Sequence, residues 1–403
     1  MPDKQPERAQ RANYLRVRSE HDHAQVTSVE LFFDLVFVFA ITQLSHGLLE
    51  HFTPIGVAQT ALLLLAVWWI WIDTSWFTNW IDPDQTPVRV VLLVLMLAGL
   101  LMSTSLPRAF EDRGLVFAGA YVFIQISRSL FTLWSLRPHS PGNYLNFQRI
   151  TCWLVVSGVF WITGAFLQDA ERFAIWAVAL FIETLGPSLG FWTPGLGRST
   201  TQDWDVEGHH FAERCGLFII IALGESIVVM GATFAGLDWS GADFAALGVA
   251  FIGSVVMWWL YFDMGAEHGS KRIVQSSDPG RLARLAYTYM HLPIVAGIIV
   301  VAVGDELVLA HPHGHMDSKT AIALIGGPAL YLAGNILFKR TVTGRPMLSH
   351  MIGLGLLAAL IPFASSATPL TYSIATTTVL VIVAIWERRS LRSIRSHKAK
   401  HGR

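Results

Sequence analysis

The sequence predicts an all-α protein, a polytopic transmembrane helical bundle of about twelve spans in two parallel six-helix repeats. Three observations lead to this prediction. The chain of 403 residues is 53% hydrophobic and only 14% charged, whereas a typical soluble domain carries about 25% charged residues. Long apolar segments follow one another with only short polar segments between them. The lysines and arginines concentrate in alternate polar segments, as they do in multi-pass membrane proteins.

Twelve segments meet the requirement of about 20 mostly apolar residues for a spanning helix. They lie at 29–49, 56–77, 88–106, 114–136, 150–167, 171–192, 211–235, 243–263, 284–309, 319–339, 347–363 and 369–387. The predicted organisation is a basic N-terminal segment over 1–28, a first repeat over 29–192, a linker over 193–210, a second repeat over 211–387 and a basic tail over 388–403.

The distribution of positive charge predicts the orientation. With the N-terminus inside and twelve spans, 24 of the 29 Lys and Arg residues fall on the inner side, four on the outer side, and Arg128 within a span. Positive residues collect in cytoplasmic segments. No short apolar stretch with a small-residue cleavage site follows the polar start, so no cleaved signal peptide is expected. The prediction is a multi-pass protein of the cytoplasmic (inner) membrane with both termini inside.

Two features of the sequence recur and indicate an internal repeat. The second span ends in Trp68–Asp73 and the eighth in Trp258–Asp263, an offset of 190 residues. Glu30 opens the first span and Glu213 the seventh, an offset of 183. Six spans separate the partners, so the two halves would share one orientation, as in parallel transporter repeats. The alternative is that tryptophan-rich helix ends only mark the membrane interface.

Ionisable residues inside the predicted spans are the candidate functional residues, because each costs at least about 2.5–3.5 kcal/mol at the bilayer centre. Glu30 and Asp34 are four residues apart and share one face of the first span. Arg128 of the fourth span lies at a similar depth, which predicts a pair between Asp34 and Arg128 with bidentate geometry. The alternative is a buried pair that is purely structural.

Two further acids lie near mid-depth. Glu225 follows Gly224 in the seventh span, and burial there disfavours the charged form of its carboxyl group, which suits a proton or cation site. The alternative is a neutral glutamic acid that is hydrogen-bonded to a neighbouring helix. Glu183 lies just before Gly186 and Pro187, which predict a helix break or a simple kink.

Three other residues complete the candidates. His291 precedes Pro293 by two residues and could relay protons, although a hydrogen-bonded core histidine is the alternative. Asp73 and Asp263 end the second and eighth spans and are interpreted as caps or loop anchors. Their matching places in the predicted repeat keep both on the list of ion-site candidates.

The strings that carry these residues resemble a known family. Residues 30–44 read ELFFDLVFVFAITQL, residues 222–226 read ALGES, and Trp258–Asp263 ends the eighth span. Together they are similar to the bacterial low temperature requirement A family, over nearly the whole chain. The resemblance implies a multi-spanning membrane protein linked by its name to growth in the cold, and it implies no settled molecular activity.

The span count, the repeat and the buried acids favour a proton- or cation-coupled secondary transporter or permeation pathway. Glu225 would be the ion site, and the pair of Asp34 and Arg128 would gate access. The expected partners are membrane lipids and a small solute or ion. No nucleic-acid partner, cofactor or bound metal is expected.

Two alternatives to transport stay open at this stage. A membrane-embedded lipid-modifying enzyme would need clustered catalytic groups near the inner interface, which Asp73, Asp263, Glu267 and His268 could supply. A non-catalytic scaffold or sensor would tolerate neutralisation of its intramembrane acids without loss of function. The sequence identifies neither the substrate nor the oligomeric state.

Overall fold

The computed structural model describes residues 13–16, 25–201, 204, 206–263, 276, 278–345 and 347–401, with residues 391–401 described by their backbone alone. Within this part of the chain, twelve helices are long and apolar enough to cross a membrane. Extended structure there is limited to two isolated bridges, Leu15 with Ile81 and Thr193 with Gly197. The prediction of an all-α bundle of twelve spans is therefore confirmed.

The helices fall close to the predicted segments. The first six are α1 (Ser28–Glu50), α2 (Pro54–Trp80), α3 (Thr86–Ser105), α4 (Gly114–Leu136), α5 (Pro141–Ala165) and α6 (Asp169–Leu185). The second six are α7 (Gly208–Ala235), α8 (Gly241–Phe262), α9 (Leu292–Ala310), α10 (Ser318–Thr343), α11 (Leu348–Leu360) and α12 (Pro369–His401). The largest differences are the early start of α5 and the extension of α12 into the tail, where the sequence is polar but helical.

The order of packing is similar in the two halves. In the first half, α1 packs against α2 and α3, and α3 to α6 pack in succession. In the second half, α7 packs against α8 and α9, and α9 to α12 pack in succession. The halves meet where α1 contacts α7 and α9, and where α2 contacts the same two helices.

The ninth span, Pro279–Ala310, is built from three pieces. A short helix at Pro279–Ala283 leads into a π-helical turn at Arg284–Tyr289, and α9 follows. The wide turn is bonded to α2, because the Thr288 carbonyl oxygen accepts a hydrogen bond from Trp68 Nε1 at 2.7 Å. The Thr288 hydroxyl accepts another from Trp76 Nε1 at 3.2 Å. The interruption is therefore fixed in place by the first half of the protein.

Helices α9 and α10 touch backbone to backbone. A Cβ atom at Gly297 would lie 2.5 Å from the Tyr331 nitrogen, and one at Gly334 would lie 2.7 Å from the Ile294 nitrogen. Glycine is the only residue that fits at either position. Small residues bring membrane helices together in this way, because close packing is what holds helices in lipid.

The N-terminal end of α10 offers a test of helix capping. Asp317 is its N-cap, and its Oδ1 atom accepts a hydrogen bond from the Thr320 nitrogen at 2.7 Å. Hydrogen bonds from Thr320 lower the pKa of Asp317, so the cap stabilises the fold above the ordinary carboxyl pKa and is lost as the pH falls through the lowered value. We expect Asp317→Ala to cost about 0.5–2 kcal/mol at neutral pH.

Thermal unfolding in detergent checks this expectation. The difference between wild type and Asp317→Ala should shrink below pH 3.8, the ordinary value for this carboxyl group. Asp317→Asn keeps the capping oxygen and serves as the control. A difference that does not change with pH would show that the carboxylate does not cap α10.

Candidate functional site

Asp34 pairs with Arg214 in the interior of the bundle. Arg214 donates from Nη1 to Asp34 Oδ2 at 2.8 Å and from Nη2 to Oδ1 at 2.9 Å. Trp71 Nε1 also donates to Oδ1 at 2.9 Å, and its ring lies 5.5 Å from the guanidinium carbon. The predicted pair of Asp34 with Arg128 is therefore wrong. The reason is that α1 packs against α7, whereas depth alone had suggested α4.

Glu30 lies in the same contact, between α1 and the start of α7. Its Oε1 atom is 2.8 Å from His210 Nε2, and its Oε2 atom accepts from the nitrogen and hydroxyl of Thr27, each at 2.9 Å. The Asn79 amide lies 3.2 Å from His210 Nδ1. Because Asn79 donates there, the ring proton sits on Nε2 and faces Glu30. Arg16 approaches Glu30 at 3.6 Å, so this cluster is balanced in charge.

The environment of Glu213 differs from that of Glu30. Glu213 is exposed and accepts a hydrogen bond from the Val26 nitrogen at 3.2 Å. The two glutamates that the sequence pattern aligned at an offset of 183 therefore have different surroundings. The contact between α1 and α7 instead brings together residues that are 180 apart, namely Glu30 with His210 and Asp34 with Arg214.

Glu183 is held entirely by uncharged donors. Its Oε2 atom accepts from the Tyr121 hydroxyl at 2.5 Å and from Gln125 Nε2 at 3.2 Å. Its Oε1 atom accepts from Trp161 Nε1 at 3.0 Å and from the Ser157 hydroxyl. Four donors from α4 and α5 thus converge on one buried carboxyl group of α6. The predicted break after Glu183 is present, because α6 passes into a 3₁₀ turn at Gly186–Leu189.

Arg128 and Asp73 extend this arrangement to α2. Arg128 Nη2 lies 3.2 Å from Asp73 Oδ2, and Nη1 donates to the Thr74 hydroxyl at 2.9 Å. Gln125 donates to Asp73 Oδ2 at 3.1 Å and also reaches Glu183. We call Asp73, Tyr121, Gln125, Arg128 and Glu183 the Glu183 cluster. It contains two acids and one arginine, and Arg128 pairs with Asp73 alone of the two.

A partly enclosed cavity ends on the Glu183 cluster. It has about 760 Å³ of atom-free space including its mouth, and it lies among the ends of α2 and α6, the start of α5 and the π-helical turn. Eight of its seventeen lining residues are aromatic, and such a surface suits the apolar part of a ligand. The main lining residues are Trp69, Asp73, Trp76, Phe77, Trp80, Arg128, Phe147, Trp153, Glu183, Phe191, Trp204 and Arg284.

Glu225 of α7 lies apart from the Glu183 cluster, against α1. Its side chain is buried, and the Thr42 hydroxyl donates to Oε2 at 2.5 Å. Its Oε1 atom has no hydrogen-bond partner among the described residues. The Ser45 hydroxyl also lies close to this carboxyl group, and His46 and Glu306 lie within electrostatic range of it. The geometry leaves one carboxyl oxygen free for a proton or a cation.

The remaining predicted residues lie apart from these groups. Both ring nitrogens of His291 are occupied, Nε2 by the Tyr261 hydroxyl at 2.8 Å and Nδ1 by the Ala286 carbonyl oxygen at 2.9 Å. This arrangement suits a core histidine. Asp263 is half-buried at the end of α8, within electrostatic range of Lys339.

Several ionisable residues of the bundle interior were not predicted from the sequence. Lys339 of α10 and Glu387 of α12 form a buried ion pair at 2.7 Å, but both had been placed at helix ends. His210 had been placed one residue outside its span. Asp305 and the half-buried Glu306 lie within the predicted ninth span, close to its end, so a search for every ionisable residue inside the spans would also have found them.

The residues proposed for lipid chemistry do not form one group in the described structure. Asp73 belongs to the Glu183 cluster, whereas Asp263 lies beside Lys339 in the other half. Glu267 and His268 lie outside the described residues. No observation here favours a lipid-modifying enzyme over a transport protein.

The twelve apolar helices and the buried ion pairs between them define a multi-pass membrane protein. More particularly, the chain belongs to the family of the bacterial low temperature requirement A protein, which it matches over residues 25–385. It is 41% identical over 382 residues to a protein of Rhizobium meliloti (strain 1021), "Uncharacterized protein RA0937", covering 94% of this chain and 92% of that one. No solved structure matches the chain.

Proposed function

We propose that the protein is a proton- or cation-coupled secondary transporter of the cytoplasmic membrane, with both termini inside. The observation that carries this proposal is the aromatic cavity that ends on the Glu183 cluster within the helical bundle. Ligand sites are commonly concave and apolar, with a few converging polar groups. In the proposed orientation the cavity opens toward the cytoplasm, because the ends of α2 and α6 lie on that side.

The lining of the cavity suits a small amphipathic organic solute. The tryptophan side chains offer an apolar surface, and the pair of Asp73 and Arg128 offers charged groups at the closed end of the cavity. Arg284 lies at the wall with its Nε atom buried and without a hydrogen-bond partner among the described residues. A polar group of the solute would supply the missing acceptor and offset the cost of that unsatisfied donor.

Glu225 is the proposed coupling site. A buried carboxylate without a full set of partners is costly in lipid, and binding of a proton or cation removes that cost. Its free Oε1 atom and its location away from the cavity suit a site that is loaded separately from the solute. The pair of Asp34 with Arg214 lies at the contact of the two halves and would hold α1 against α7.

The arrangement of charges supports two parallel repeats. Asp73, Arg128 and Glu183 lie on the second, fourth and sixth helices. Asp263, Lys339 and Glu387 lie on the eighth, tenth and twelfth, in the same acid, cation, acid order. Repeated halves with sites between helices are common among secondary transporters.

Ion flux in proteoliposomes tests the proposal. Vesicles loaded with a pH dye receive an imposed potential, with and without a mixture of amphipathic solutes outside. We expect wild-type protein to carry a dye signal above that of empty vesicles, and Glu225→Gln to reduce it at least tenfold, because the amide cannot take up a proton.

The control is Glu213→Gln, which neutralises an exposed glutamate on the same helix and should leave the flux unchanged. Equal flux from wild type and Glu225→Gln would contradict the coupling role. In cells, the family description makes growth at low temperature the phenotype to score. A deletion strain that the Glu225→Gln gene rescues fully would also count against the proposal.

A further inference from the structure

Asp305 on α9 is a buried acid that the proposed transport path does not use. Its side chain is 7% exposed, and its Oδ2 atom has no hydrogen-bond partner among the described residues. No cationic side chain of the described chain pairs with it. An ionised carboxylate in this state is strongly disfavoured unless something compensates its charge.

Asp305 faces a small cavity between α8, α9, α10 and α12. Three hydroxyl-bearing residues of α12 line the cavity, namely Ser373, Thr376 and Thr377. Pro328 of α10 lines it too and has no N–H group, so the carbonyl oxygen of Leu324 loses its usual helical donor. Leu324 also lines the cavity. Asp305, the three hydroxyl-bearing residues and Leu324 therefore line one small space, in which the Thr376 hydroxyl also donates to the Ser373 carbonyl oxygen at 3.1 Å.

We infer that this cavity is a binding site for Na⁺. All of its potential ligands are oxygen atoms, which hard cations prefer to nitrogen or sulfur ligands. A single carboxylate balances one positive charge, whereas a divalent ion would leave an uncompensated charge in a low-dielectric interior. Within the described residues, no group of three His, Cys, Asp or Glu side chains could hold a multivalent metal ion.

The site deepens the proposed transport function and rests on it for its role, because it adds Na⁺ as a second ion that the transporter would bind, apart from the coupling site at Glu225. Glu306, the next residue on α9, lies within electrostatic range of Glu225. One helix thus connects the Na⁺ site with the acid proposed to couple transport.

Thermal unfolding of the full-length protein in detergent measures Na⁺ binding without any need for transport. Midpoints are compared in NaCl, KCl and choline chloride at equal ionic strength. A ligand that binds only the folded state raises the midpoint in a concentration-dependent way. We expect a saturable rise of a few degrees in Na⁺ alone. Asp305→Asn should abolish it, and Thr377→Val should raise the required Na⁺ concentration about tenfold, as for one lost oxygen ligand worth about 1.4 kcal/mol.

Glu306→Gln is the matched control, because the neighbouring acid does not line the cavity, and it should keep the Na⁺ effect. Equal midpoints in the three salts, or an Na⁺ effect that survives in Asp305→Asn, would overturn the inference. A rise on acidification that is the same in Na⁺ and K⁺ would overturn it in favour of a proton. Stabilisation by Na⁺ without any flux would support the Na⁺ site and contradict the proposed transport function. Flux that is insensitive to Na⁺ would support transport and contradict a role for the Na⁺ site in it.

Discussion

Replacement of Arg214 by methionine should lower the free energy of unfolding by about 3–5 kcal/mol, the usual cost of breaking a buried ion pair. The loss arises because Asp34 would be left without its cation in a site that is fully buried, where the carboxyl group must either stay charged or take up a proton. Trp71 would remain as a donor, but one hydrogen bond does not replace a bidentate guanidinium. Unfolding in a mild detergent with increasing denaturant, followed by tryptophan fluorescence, measures the change.

Two further variants make this result specific. Arg89→Gln removes an exposed arginine that pairs with Asp84 at 3.5 Å, and exposed pairs contribute only about 0–1 kcal/mol. The double variant Asp34→Leu with Arg214→Met removes both charges and should recover much of the loss, since buried pairs can be replaced by apolar residues. If Arg214→Met is as stable as Arg89→Gln, the pair is not the desolvated contact described above.

Replacement of Glu183 by leucine should destabilise the first half of the protein by about 3 kcal/mol or more, because buried donors left without acceptors cost about 1–3 kcal/mol each. Four donors lose their acceptor in this variant. Glu183→Gln keeps one carbonyl oxygen, and the Tyr121 and Ser157 hydroxyls can turn to accept from the amide. We therefore expect Glu183→Gln to lower the free energy of unfolding by about 1–3 kcal/mol.

The comparison uses Glu171→Leu, which changes an exposed glutamate of the same helix. Stability is compared through the thermal unfolding midpoint and the fraction of monodisperse protein. We expect both values to be lowest for Glu183→Leu and near those of wild type for Glu171→Leu. Equal behaviour of the two leucine variants would mean that the hydrogen bonds around Glu183 contribute nothing to the fold. Intact flux in Glu183→Gln at matched incorporation would separate the role of Glu183 in stability from any role in transport.

The spans could be predicted because lipid imposes a simple requirement. Each crossing needs about 20 apolar residues whose backbone groups are bonded within the helix, and that requirement is local in sequence. Helix ends were less predictable. At α5 and α12 the helix continues through polar residues that leave the apolar layer, so hydropathy could not detect their true ends.

The partners of the buried charges could not be predicted, because depth along a helix says nothing about which helix lies beside it. Asp34 and Arg128 have similar predicted depths, yet they belong to different pairs. The true partner, Arg214, was visible as an ionisable residue of the seventh span. Arg214 is the partner of Asp34 because α1 packs against α7, and the sequence pattern does not show which helices pack together. Glu183 could be selected as a buried acid, but its four donors are scattered over α4 and α5.

The backbone contact between α9 and α10 has a mechanical consequence. Where Gly297 and Gly334 place one helix directly on the other, no flexible side chain lies between them to allow sliding. The two helices must therefore move together, and Asp305, Glu306 and Lys319 move with them as one rigid body. At the other end of α9, the π-helical turn at Arg284–Tyr289 has a wider bonding pattern than an α-helix. Any displacement of this body is thus expected to pivot there, beside the mouth of the aromatic cavity.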